Sequence, residues 1–107
     1  MQQQVDAVRV DDSLLDYLLA MTEATRTSGL FRLAISPRGT LALHKAAKAY
    51  AFVDGRTYCV PDDFKRLAPW VFGHRIVMQA SSNAFHLKNN DQEQVIQELI
   101  DQIPVPL

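Results

Sequence analysis

The sequence has little that would fix a covalently cross-linked or membrane-bound architecture. It contains one cysteine, Cys59, so a disulfide within the chain is excluded and a reducing compartment is favoured. No apolar run approaches the roughly 20 residues that a membrane-spanning helix needs. Residues 1–4 are polar and lack the apolar core of a signal peptide. We therefore expect a soluble, cytoplasmic protein with no membrane partner.

The chain also lacks an excess of either charge, with 11 lysines and arginines against 12 aspartates and glutamates. The resulting net charge of −1 provides no bulk attraction to the phosphates of nucleic acid. One short basic cluster lacks the interleaved aromatic residues of a nucleic-acid-binding module. Its members are Lys65, Arg66, His74 and Arg75. A helix-turn-helix DNA binder is therefore disfavoured, and we expect no nucleic-acid partner.

Residue patterns of the common catalytic centres are absent as well. No serine lies in a Gly-x-Ser-x-Gly elbow, and no Gly-x-x-x-x-Gly-Lys-Ser/Thr loop is present to hold nucleotide phosphates. Asp62 and Asp63 are neighbours on a predicted helix and face directions about 100° apart, so they complement the helix dipole and form no acid–base pair. No metal site is predicted, because the possible nitrogen and sulfur ligands match no zinc spacing. Those ligands are His44, His74, His86 and Cys59. By itself the chain is not expected to be an enzyme.

What the sequence does contain is a set of helical patterns in a chain of ordinary globular composition, 48% apolar and 21% charged. Capping residues and helical periodicity predict four helices, beginning at Asp11 or Asp12, at Pro37, at Pro61 and near Asp91. The second helix is rich in alanine, which lets neighbouring helices approach closely, and is therefore expected to be central. Together these helices predict a mainly α fold, a small four-helix bundle.

Two features modify this bundle. Pro69 lies inside the third helix and predicts a kink or an early end there, because proline lacks the backbone N–H. At most one short β-hairpin is expected, pairing a strand within residues 75–79 with a second strand around Phe85 and Leu87.

The start of the second helix holds the candidate binding site. Ser36 suits the N-cap, and Pro37 suits the first helical position, where its missing N–H costs nothing. Arg38 lies two residues past the cap, where its positive charge opposes the helix dipole. A guanidinium fixed at the positive end of a helix forms an anion site. The alternative is a solvated surface arginine, which is the commoner environment for such a residue.

Several short motifs follow one another in a specific order. They are Asp16-Tyr17-Leu18, Ala24-Thr25-Arg26, Ser36-Pro37-Arg38-Gly39, Leu41-Ala42-Leu43, Ala46-Ala47-Lys48-Ala49, Asp54-Gly55-Arg56, Pro61-Asp62-Asp63, His74-Arg75-Ile76 and Ile103-Pro104-Val105-Pro106. In order and spacing they resemble the lid domain of the MoxR family of AAA+ ATPases, which is related to the ATPase subunits of magnesium chelatase. The resemblance covers residues 8–106. One departure is Val60, where relatives often carry a threonine that caps the next helix.

The resemblance implies that residues 1–107 are a single AAA+ lid domain. Residues 1–7 are then a flexible leader, or they mark the point at which an expressed piece begins. It also implies that Arg38 is the sensor-2 arginine, which reaches toward the γ-phosphate of ATP in its own subunit or in a neighbour. Ser36 and Pro37 would form the helix start that positions it.

The same resemblance implies that the chain is the C-terminal third of a longer ATPase, which uses ATP and Mg²⁺, whereas this chain alone would bind neither. The expected partners are the AAA+ core domain of the same protein and neighbouring subunits of a chaperone-like ring. A von Willebrand A-domain protein is a further candidate partner. The alternative is a free-standing helical module that binds a partner protein through an apolar groove and uses no nucleotide.

Overall fold

The computed structural model describes residues 2–29, 31–33, 35–73, 77–78 and 89–106 of the chain. This part of the molecule is mainly helical, as predicted. Its helices are α1 (Gln2–Asp6), α2 (Asp12–Thr27), α3 (Pro37–Val53), α4 (Pro61–Gly73) and α5 (Asn89–Asp101). Its strands are β1 (Phe31–Leu33) and β2 (Val77–Met78). The four predicted helices correspond to α2 to α5, and the short helix α1 is additional.

The core lies between α4 and the helices that pack against it. Helix α4 contacts α3 on one side and α5 on the other, and it also reaches α2. Its two phenylalanines Phe64 and Phe72 are fully buried, whereas the core face of α3 is small, with Ala47 and Ala51 also fully buried. The small face allows close approach, as predicted. The central helix is nevertheless α4 rather than α3, because the bulky side chains that fill the space between helices are on α4.

Helix α2 begins where the sequence indicates. Asp11 is the N-cap, and its Oδ2 atom accepts hydrogen bonds from the Ser13 amide at 3.1 Å and from the Ser13 hydroxyl at 2.7 Å. The side chains of Leu14, Leu18 and Met21 are buried on one face of the helix. A capped start and a single apolar stripe together explain why this segment is helical.

Of the two outcomes expected at Pro69, a kink or an early end, the early end does not occur, because the helix continues to Gly73. Proline removes one helix hydrogen bond. The residues on either side of it, Ala68 and Phe72, are completely buried and lie on the same helix face as Phe64. Burial of this stripe therefore holds the helix together across the missing bond.

The two-stranded sheet pairs different segments from those of the predicted hairpin. Strand β2 falls within the predicted range 75–79, but it pairs antiparallel with β1, and Phe31 is opposite Met78. The predicted partner around Phe85 and Leu87 lies outside the described residues. Strand β1 was not predicted, since three residues are too few to show an alternating pattern.

The beginning of the chain is attached to the turn between α3 and α4. The Arg9 amide donates to the Thr57 carbonyl at 2.9 Å, and the Cys59 amide donates to the Arg9 carbonyl at 2.8 Å. Arg9 and Tyr58 thereby form an isolated parallel bridge. Before it, the Lys48 ammonium donates to the Asp6 carbonyl at 2.9 Å. Among the described residues, no helix has the length and apolar character required to cross a membrane.

Candidate functional site

The start of α3 has the geometry that the sequence predicts. Ser36 has an extended backbone and caps the helix, and its Oγ atom accepts a hydrogen bond from the Gly39 amide at 3.3 Å. Pro37 is the first helical residue. The Thr40 amide donates to the Ser36 carbonyl at 3.0 Å. The predicted helix start is thus confirmed, while its role in binding a phosphate stays a prediction.

Arg38 is exposed at this helix start. Among the described residues, neither its guanidinium nor its backbone amide has a hydrogen-bond or ion-pair partner. The amides of Gly39 and Thr40 are already bonded within the helix start, and Pro37 has none. The donors that remain for an external anion are therefore the Arg38 amide and guanidinium, at the positive end of the α3 dipole.

Two threonines of α2 connect that helix to the start of α3. The hydroxyl of Thr22, a residue that is 8% exposed, lies 3.0 Å from the Thr40 hydroxyl. Thr25 is 2% exposed, and its Oγ1 atom accepts a hydrogen bond from the Ile35 amide at 3.3 Å. The segment that carries Arg38 is therefore bonded to α2 on both sides, three residues before the arginine and two residues after it.

The sequence patterns do not mark these threonines as functional. A signal was nevertheless present, because Thr22 and Thr25 continue the spacing of the buried Leu14 and Leu18 along α2. A hydroxyl at a core-facing helix position needs a hydrogen-bond partner, since burying it without one is costly. That need points to a contact with another element, but the periodicity does not identify which one.

Asp63 has a further role beside the one predicted for it. The prediction treated Asp62 and Asp63 alike, as charges that complement the helix dipole. Asp62 is exposed, whereas Asp63 is 1% exposed and receives two hydrogen bonds from Arg56, at 2.7 and 2.9 Å. The same arginine also donates to the Asp54 carboxylate at 2.9 Å. These bonds raise the pKa of Arg56 above its ordinary value, with the Asp63 bond as the largest cause.

Asp63 also bonds back to the residue that precedes α4. Its Oδ2 atom accepts a hydrogen bond from the Val60 amide at 2.8 Å, although Val60 has no side-chain oxygen to offer in return. The Asp63 carboxylate is thus occupied on both oxygens by Arg56 and Val60. It links the turn before α4 to the helix and is not available for acid–base chemistry.

The remaining candidate residues do not come together as a site. Within the described residues, no three histidine, cysteine or acidic side chains are grouped so that they could hold a metal ion. His44 is half-buried on α3, and burial, helped by Lys48, lowers its pKa. Cys59 is buried, and this raises its pKa to about 11, so it is a poor nucleophile. His74 and His86 lie outside the described residues.

The basic cluster is divided among contacts within the domain. Lys65 lies 3.5 Å from the Asp101 carboxylate, and Arg66 donates to the Tyr50 hydroxyl at 2.7 Å. Arg75, like His74, lies outside the described residues. The two described members thus face different partners and do not form a continuous anion-binding surface.

Known proteins resemble this chain in sequence. The family model described as the AAA lid domain matches residues 23–99. The chain is 35% identical over its whole length to YeaC of Bacillus subtilis, described as an uncharacterised protein, and it spans 32% of that protein. It is 28% identical over 106 residues to the chaperone MoxR1 of Mycobacterium tuberculosis. That alignment covers 91% of this chain and 27% of the relative. The chain therefore spans about a third or less of the length of these relatives.

The fold is also found among solved structures. A crystal structure of a candidate ATPase from Cytophaga hutchinsonii superimposes with a TM-score of 0.83 and 23% sequence identity. The match covers 98% of this chain and 34% of the other. It shows that the arrangement of helices described above occurs as one part of a larger protein.

Proposed function

We propose that Arg38 is a sensor-2 arginine, since the chain belongs to the AAA lid domain family and is the lid of a MoxR-family AAA+ ATPase. The observation that carries this proposal is the start of α3, where an exposed arginine lies at the second helical position. Among the described residues, its guanidinium has no partner within the domain. A charge placed against its own helix dipole and bound to nothing nearby is available to an external anion.

The anion in this proposal is the γ-phosphate of ATP, bound with Mg²⁺ by the AAA+ core of the longer protein. Arg38 donates hydrogen bonds to the phosphate oxygens, on which negative charge is spread during transfer to water. Such a contact exists with ATP and is lost after hydrolysis, so it favours different lid positions in the two states. The chain thereby couples the nucleotide to movement of the lid. The nucleotide belongs to the same subunit or to a neighbouring one.

The proposed partners follow from the same assignment. They are the AAA+ core domain of the same protein and neighbouring subunits of a ring, with a von Willebrand A-domain protein as a further candidate. The relative from Mycobacterium tuberculosis is described as a chaperone, which supports a chaperone-like activity for the whole protein.

The first test is the steady-state ATPase activity of the full-length protein with Arg38→Ala. Loss of a preorganised donor to the developing charge is expected to lower kcat by about 100-fold. Arg38→Lys retains the charge but loses the planar fork, so it should recover only part of the activity. The measurement is kcat for ATP hydrolysis by the wild type and by both variants under the same conditions.

The matched control is Lys45→Ala, which removes the same charge from an exposed position two turns further along α3. It should retain full activity. Full turnover by Arg38→Ala would overturn the sensor-2 assignment and favour the alternative in which this domain acts by binding a partner protein. Leu15 and Leu19 favour that alternative, because they are exposed one turn apart on α2, by 36% and 59%.

A further inference from the structure

The segment that carries Arg38 is held by side-chain hydroxyls rather than by helix contacts alone. Thr22 of α2 and Thr40 of α3 lie 18 residues apart in the sequence, with their Oγ1 atoms at 3.0 Å. Thr22 also lies 3.1 Å from the Leu18 carbonyl, and the Thr40 hydroxyl lies 3.2 Å from the Ser36 carbonyl. The result is a chain of polar contacts from the backbone of α2 to the cap of α3.

The proton count of this chain makes the two hydroxyls act together. Each threonine has one hydroxyl proton, so two protons serve three contacts. When Thr22 donates to the Leu18 carbonyl, Thr40 can donate to Thr22. When Thr40 donates to the Ser36 carbonyl, Thr22 can donate to Thr40. In both arrangements the hydroxyl–hydroxyl bond between α2 and α3 is kept. Donation by both threonines to their own carbonyls would leave two hydroxyl oxygens 3.0 Å apart with no proton between them, which is less favourable.

A second hydroxyl fixes the backbone on the other side of the arginine. Thr25 donates to the Thr22 carbonyl at 2.7 Å and accepts from the Ile35 amide at 3.3 Å. Ile35 is 3% exposed, so its amide depends on this acceptor. Residues 35 and 40 are therefore both bonded to α2, and Arg38 lies between them on a segment that cannot shift without breaking one of these bonds.

We infer that Thr22 and Thr40 are positioning residues that hold Arg38 at the distance from the bound phosphate at which it acts. The inference rests on the proposed function of Arg38. Their hydroxyls do not touch the nucleotide, and they act by fixing the first turn of α3 against α2. Errors of about 1 Å in the position of a catalytic group cost about 100-fold in rate, so a flexible turn would make the arginine much less effective.

The test is ATP turnover by the full-length protein with Thr22→Val and with Thr40→Val. Each variant keeps the branched shape and removes the bond between the helices. We expect kcat to fall about tenfold in each, with little change in KM, and no further loss when the two changes are combined. Thr22→Ser retains the hydroxyl and is expected to restore most of the activity. Thr40→Val removes the other partner of the same bond, on α3. It therefore provides the test even if the Thr22→Val protein does not fold.

A positioning role is separated from a structural one by adding Arg38→Ala. If the threonines act through Arg38, Thr22→Val lowers kcat in the wild type but causes no additional loss in the Arg38→Ala protein. The control is Thr27→Val, because the exposed Thr27 hydroxyl makes the same local bond within α2, to the Glu23 carbonyl at 3.1 Å. Among the described helices, it bonds to none but its own.

The outcomes distinguish the two proposals. A slow Arg38→Ala protein together with fully active Thr22→Val and Thr40→Val proteins overturns the positioning role and keeps the sensor-2 assignment. If Thr22→Val lowers kcat by the same factor in the wild type and in the Arg38→Ala protein, the positioning role is also overturned, since the threonine then acts independently of the arginine. A fully active Arg38→Ala protein overturns the proposed function itself.

Discussion

At the scale of single residues, a contact with a large expected effect on stability is the pair of Arg56 and Asp63. The Arg56 side chain is 19% exposed and that of Asp63 is 1% exposed, and two hydrogen bonds join them. Burying a carboxylate is costly unless it is paired and hydrogen-bonded. The pair therefore makes the shape of the turn before α4 depend strongly on one side chain.

We expect Arg56→Ala to lower the free energy of unfolding by about 3–5 kcal/mol, because Asp63 would remain buried without its charged partner. Urea denaturation followed by circular dichroism measures the change. The control is Arg26→Ala, which removes an exposed ion pair with Glu23, in which both side chains are more than half exposed. That change should cost less than about 1 kcal/mol. Equal effects of the two substitutions would show that burial of the Asp63 charge does not govern stability.

Residue roles were predictable only where they depend on neighbours in the sequence. The cap at Ser36 and the first position at Pro37 follow from local rules, and both are confirmed. Asp63 was assigned only its local role, because its pairing with Arg56 depends on how the preceding turn folds back. Thr22 was missed for a similar reason, since its partner lies 18 residues away on another helix.

At the scale of helices and strands, the sequence predicts which helices are present better than it predicts where they end or which short strands form. Helices α2 to α5 carry repeated apolar residues that make their type clear. Strand β1 has three residues and no such repetition, so it was found only from its pairing with β2. The passage of α4 through Pro69 depends on burial against α3 and α5, which local propensity does not include.

The start of α4 offers a prediction at this scale. Val60 precedes Pro61 and is half-buried, and its own side chain gives the first turn no acceptor. Val60→Thr keeps the shape and adds an oxygen that can accept an amide proton of that turn. We expect this substitution to raise the free energy of unfolding by about 0.5–1 kcal/mol, measured by urea denaturation.

Val53→Thr is the control for that substitution. Val53 is 75% exposed at the last position of α3, where a hydroxyl has no helix start to cap. It should leave stability within about 0.5 kcal/mol of the wild type. A Val60→Thr protein no more stable than Val53→Thr would show that a side-chain acceptor at position 60 does not stabilise the start of α4.

At the scale of the whole molecule, the chain is a lid that spans about a third or less of its relatives. Within it, the proposed phosphate contact consists of one arginine and one helix end. Phosphate-loop ATPases enclose the nucleotide with many backbone amides, a lysine and a magnesium ion, none of which this contact supplies.

The 107-residue chain by itself is therefore expected to bind ATP with a dissociation constant no tighter than about 1 mM, or about −4 kcal/mol. Isothermal titration calorimetry with Mg²⁺ and ATP measures it, and the Arg38→Ala chain provides the comparison. Submicromolar affinity would contradict the assignment, because the lid would then hold a nucleotide site of its own.

The bridge between Arg9 and the turn before α4 connects the beginning of the chain to the body of the bundle. Two backbone hydrogen bonds hold Arg9 to this turn, and Arg56 joins the turn to α4 through Asp63. We expect a force applied at Arg9 to act on the whole bundle rather than to deform only its edge. When the lid moves as proposed, we therefore expect residues 8–10, the turn and α4 to move as one unit.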